Sequence, residues 1–105
     1  MADKILSYIG FAIRARNVKM GVNSCETLKG RVPLFILCKS ASLNTQKDAI
    51  SLAKKHNSKI VVSVNPLEEI VCKQNCKLIA ITNNELAKAI LNNLNEHFVI
   101  LEAEN

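Results

Sequence analysis

Tryptophan is absent, and the chain of 105 residues has only three phenylalanines and one tyrosine. Any core must therefore be aliphatic, built from Ile, Leu, Val and Ala. No apolar run approaches the roughly 18 to 20 residues that cross a bilayer, so a membrane partner is not expected. The N-terminus lacks a signal-peptide pattern: Asp3 and Lys4 lead into an amphipathic stretch, which points to the cytoplasm. No Ser-His-Asp arrangement, paired-acid motif or glycine-rich nucleotide loop occurs, and His56 and His97 have no acidic partner at a suggestive spacing. These absences exclude ordinary enzymes and small-molecule cofactors. The four cysteines form no disulfide or zinc framework. Cys72-Lys-Gln-Asn-Cys76 is not matched by a second pair or followed by a histidine at ligand spacing, so reduced, mostly buried thiols and no metal are expected.

Apolar residues make up 49% of the chain, enough for a folded domain. The length allows one core, so residues 1–101 are read as a single domain and 102–105 as a short acidic tail. The net charge of +5 is uneven. Residues 1–55 hold ten Lys/Arg against three acids, and residues 56–105 hold four against six. A basic half of this kind points to polyanions such as RNA phosphates, set against the plainer possibility of a lysine-coated surface.

Ile5, Ile9 and Ile13 share one stripe of a helix that Arg14 and Arg16 close and Asn17 stops. A short extended piece, Val18–Met20, ends at Gly21. Asn23 or Ser24 is expected to cap a brief helix that Lys29-Gly30 ends. The run Val32–Cys38 reads as a strand buried on both faces. Asn44 or Thr45 opens the next helix and Asn57 is its left-handed stop. Strands follow at Ile60–Val64, Leu78–Ile81 and Phe98–Leu101, with capped helices starting at Asn65-Pro66 and Thr82-Asn83. This alternation predicts an α/β fold, a three-layer α/β/α sandwich with a small mixed, largely parallel sheet of about four strands.

Three stretches, ILSYIGFAIRARNVKM, PLFILCKSASLNTQKDAISLAKKHNSKIVV and KLIAITNNELAKAIL, resemble the kink-turn RNA-binding ribosomal protein family, the L-seven-Ae and L-thirty-e type. The pattern is nearest its small bacterial stand-alone members. The resemblance implies a non-catalytic, monomeric protein bound to RNA, such as ribosomal RNA or the ribosome. It also implies two contact segments. The first is a Gly-x-Asn-Glu-x-x-Lys pattern at the start of the short second helix. Gly21, Val22 and Asn23 occupy it here, with Ser24 in place of Glu and Thr27 in place of Lys, while Lys29 lies two residues later. The second is an apolar loop near the third long strand, represented by Val71 and Cys72, where the family's glycines are missing. Weakened or altered kink-turn specificity is the expectation that follows.

The charge pattern adds Arg14, Arg16, Lys19, Arg31 and Lys39 to the candidate RNA contacts, since Arg holds phosphate in a bidentate manner. The amides at Asn23–Cys25 begin a helix, an arrangement suited to anions. Two rivals stand beside this reading. Cys38 ends a strand and is followed by Ser40, Ser42 and Thr45, which resembles a phosphocysteine carrier; a buried apolar thiol explains it more simply. The fold also suits a protein-interaction module that has lost RNA binding, with an exposed Val71-Cys72 loop as its contact.

Overall fold

The computed structural model describes residues 3–101; the tail read at Glu102–Asn105 lies outside them. Ten elements alternate: α1 (Lys4–Arg14), β1 (Val18–Met20), α2 (Val22–Cys25), β2 (Leu34–Cys38), α3 (Leu43–His56), β3 (Lys59–Ser63), α4 (Leu67–Val71), β4 (Leu78–Ile81), α5 (Asn84–Leu91) and β5 (Phe98–Leu101). The sheet has five strands, not about four, in the order β1-β4-β2-β3-β5. It is mixed but mostly antiparallel: only β2 and β3 run parallel, while β1–β4, β2–β4 and β3–β5 are antiparallel.

Helix length explains why the expected largely parallel sheet does not form. The 14 residues of α3 carry the chain back along the sheet, so β3 starts level with β2 (Leu34 opposite Lys59). The five residues of α4 are too few for such a return. The chain therefore re-enters at the end where β3 stopped, and β4 runs back beside β2 with Leu37 opposite Leu78.

Every residue of β2 is buried, and its side chains alternate between two cores. Leu34, Ile36 and Cys38 face α1, α4 and α5, together with Ile5, Ile9, Val71, Ile90 and Phe98. Phe35 and Leu37 face α2 and α3, together with Cys25, Ala49, Leu52 and Ala53. Helices thus cover both faces of the sheet, around an aliphatic core with two phenylalanines in it.

Local chemistry corrects several expected boundaries. Ser42 caps α3, its hydroxyl accepting from the Thr45 amide at 3.2 Å, so Asn44 and Thr45 lie inside the first turn. The left-handed residue after α1 is Arg16 (φ 61°) rather than Asn17. β2 begins at Leu34 because the Val32 amide donates to the His56 carbonyl instead of joining the sheet. Asn57 is the left-handed stop of α3 as expected, with φ 54°. Among the described residues no helix is long and apolar enough to cross a membrane.

Candidate nucleic-acid interface

The strand register gives the domain two opposite ends. β1, β2 and β3 finish at one, here the upper end, where Met20 lies level with Ile79 and Leu37 with Leu78. They begin at the lower end, where Val18 and Leu34 both pair with Ile81. The candidate RNA residues divide between these ends.

Gly21, Val22, Asn23, Ser24, Lys39 and Cys72 are at the upper end. Gly21 has φ 86° and ψ 155°, a backbone region essentially reserved for glycine, and its amide donates to the Leu78 carbonyl at 2.7 Å. That bond ties the start of α2 to the first residue of β4, where the loop from α4 ends, although the two lie far apart in sequence. Val22 is half-buried against the α3-side core, and Asn23 is exposed. The Cys25 amide already donates to the Gly21 carbonyl at 3.0 Å, so it is spent on α2 itself. The Thr27 hydroxyl donates to the Ser24 carbonyl at 2.6 Å and closes the helix.

The α4–β4 loop is braced by charge. Lys77 Nζ lies 2.7 Å from Glu68 Oε1 and 3.1 Å from Ser40 Oγ, while the Asn75 amide donates to Glu68 Oε2 at 2.8 Å. The Lys77 hydrogen bond, aided by the Asn75 amide, lowers the Glu68 carboxyl below its usual range. The brace is therefore intact above the usual carboxylate range and is lost as pH falls through the depressed value. Cys72 and Asn75 take left-handed backbone, φ 55° and 60°, which supplies the turns without the glycines the resemblance leads one to expect. Val71 is not exposed. It lies four residues after Leu67, on the same inner face of α4, and is buried in the core, so only Cys72 of that pair reaches the surface.

Arg14, Arg16, Lys29 and Arg31 are at the lower end, away from Gly21. Arg14 stacks over the Phe11 ring at 5.0 Å, and Arg16 follows in the left-handed turn. Lys19 is exposed in the middle of the edge strand β1. The lower end also holds Lys54, Lys55, Lys59 and Lys88, which the sequence argument did not single out. Only the closeness of three separate segments reveals them.

The thiols divide into two kinds. Burial pushes the Cys25 thiol up to about 12, with the Cys76 sulfur nearby adding to the rise, and burial also raises Cys76. Both act as small apolar groups beneath Gly21. At Cys38, burial works to raise the thiol, but the Ser40 hydroxyl (3.2 Å), the Leu67 and Ser40 backbone and Lys77 together outweigh it and bring the thiol below its usual value. Its residue is nevertheless only 1% exposed. Among the described residues no three His, Cys, Asp or Glu side chains gather as metal ligands.

No protein-family model matches the chain, and none of the curated proteins matches it. A solved structure of a Bacillus halodurans protein of unknown function is similar, with a TM-score of 0.71 at 23% identity. The match covers 87% of this chain and 96% of that one. At that identity the likeness establishes a shared fold and nothing about activity.

Proposed function

We propose that the protein is a non-catalytic RNA-binding protein of the ribosome-associated kind, gripping structured, kink-turn-like RNA at the upper end with reduced specificity. The observation that carries this reading is the meeting of the Gly21–Ser24 start of α2 with the Cys72–Lys77 loop. The family resemblance assigns RNA contacts to those two segments, and the Gly21–Leu78 hydrogen bond holds them together. Lys39, Lys73 and Lys77 supply cations there, but Glu68 and Glu69 offset most of that charge. Affinity at this end must therefore come mainly from shape and polar contacts.

Ser24 and Thr27 replace a carboxylate and an ammonium of the family pattern. Such lost contacts are worth about 1–3 kcal/mol of discrimination for a base. A gel shift with a kink-turn RNA and an unstructured control, at two salt concentrations, is expected to show a preference below about tenfold at either salt. A preference of a hundredfold or more would overturn the loss of specificity. No binding to either RNA would overturn RNA binding itself.

A second reading, a thiol carrier using Cys38, is favoured by one observation: the Ser40, Leu67 and Lys77 surroundings that lower its thiol. Burial of that residue opposes it. Under native conditions at neutral pH, iodoacetamide should label the exposed Cys72 well before Cys38, as mapped by mass spectrometry. Labelling of Cys38 first would favour the carrier over a core thiol.

A further inference from the structure

We infer that the lower end is a second nucleic-acid surface, one that takes the phosphate backbone without reading bases, so that one molecule holds two RNA segments. The inference rests on the RNA reading above and adds to it a separate site. Three shallow depressions at this end share one residue, Asn57, the left-handed stop of α3. Around them stand Lys29, Arg31, Lys54, Lys55, Lys59 and Lys88, all exposed, against one carboxylate among the described residues, Glu85. Arg14 and Arg16 stand at the same end, so among the described residues the excess positive charge is concentrated there.

A plainer role accounts for part of this cluster. Lys54 and Lys55 lie in the last turn of α3, where cations complement the negative end of the helix dipole. Lys88, in the last turn of α5, has the same role, but Lys29 and Arg31 come from the loop before β2 and Lys59 from the start of β3, and the dipole explains none of these three. Among the described residues, none of the six forms an ion pair, although Lys77 at the other end does. Cations converging from four segments, none of them paired with a carboxylate among the described residues, are what a polyphosphate backbone neutralises, with release of its counterions. The two ends face away from each other across the sheet, so a duplex laid on one does not reach the other.

The test compares wild type with two variants by titration calorimetry, using a short RNA duplex interrupted by a kink-turn, which offers the upper end its shape and the lower end its phosphates. Lys29→Gln/Arg31→Gln/Lys55→Gln/Lys59→Gln removes lower-end charge, and Lys39→Gln/Lys73→Gln removes upper-end charge. All six positions are exposed, and circular dichroism checks that both variants keep the fold. Wild type is expected to take two duplexes. The four-site variant should take one, with a slope of log affinity against log salt shallower by about 3 to 4, at roughly 0.9 per phosphate. A wild type that takes one duplex, with affinity and slope unchanged in the four-site variant, would overturn the second surface and leave the upper-end reading intact. Binding lost in the four-site variant but kept in the other would support the lower surface and sink the upper one. Binding of wild type to phosphatidylserine vesicles but to no RNA would overturn the inference.

Discussion

Phe98→Ala is expected to destabilise the protein by about 3–5 kcal/mol, the usual cost of emptying a buried aromatic site. Phe98 is fully buried in the core formed with α1, α4 and α5, although β5 is an edge strand. Two devices deliver it there. Antiparallel pairing sets it opposite Ser63, whose hydroxyl is turned away to the Asn65 carbonyl at 2.7 Å. Asn95 then fixes the approach: its side-chain oxygen accepts from the His97 amide at 2.7 Å and the Phe98 amide at 3.2 Å. Its side-chain amide reaches Asp3 at 3.0 Å, tying the start of α1 to the same turn. In urea the midpoint should fall by about 2 M, taking a slope of 1–3 kcal/mol per molar for a domain of this size. Val99 and Ile100 on the same strand are 44% and 40% exposed, so alanine there should cost much less. A Val99→Ala cost equal to that of Phe98→Ala would mean that this edge is covered in solution.

The contrast between Phe98 and its neighbours marks how far the fold was legible. Element order could be read because each segment carries its own signal, such as the uninterrupted apolar run of β2 or the Asn83 cap, which holds the Leu86 amide at 3.0 Å. Strand direction could not, because it depends on whether a connecting helix is long enough to return along the sheet. Asn65-Pro66-Leu67-Glu68 has the marks of a good helix start but says little about where the helix ends, and α4 stops after five residues. That early stop reverses β4.

The candidate site was legible to a lesser degree, for a related reason. Charge counted along the chain placed the cations in the first half, yet Lys59 and Lys88 of the second half join Lys29 and Arg31 in space, while Lys39 of the first half lies at the far end. Proximity in sequence put Arg14, Arg16 and Gly21 into one footprint. The three residues of β1 are enough to carry Gly21 to the opposite end of the sheet from both arginines. Val71 was misplaced by the same kind of gap, since a residue that ends a helix and starts a loop belongs to whichever face its helical spacing selects.

Gly21→Ala is expected to cost about 1–3 kcal/mol of stability, because a side chain at φ 86° and ψ 155° is strained whatever space surrounds it. An alanine methyl there would meet no atom within 4 Å, so the cost is one of backbone conformation and not of collision. The chain can relieve that strain only by rotating the residue that both starts α2 and donates to Leu78. Relief therefore moves Val22–Ser24 away from the Cys72–Lys77 loop, and stability and recognition should fall together. Measured in the Lys29→Gln/Arg31→Gln/Lys55→Gln/Lys59→Gln background, where only the upper end is left to bind, RNA affinity should drop about tenfold, equivalent to about 1.4 kcal/mol. Gly30→Ala is the matching control: it also places a side chain at positive φ, 73°, with nothing within 4 Å, but at the lower end. It should cost about 1–2 kcal/mol of stability and leave upper-end affinity unchanged. Equal affinity for Gly21→Ala and its parent would remove the start of α2 from the RNA contact, because a backbone that must shift cannot keep a shape-dependent grip.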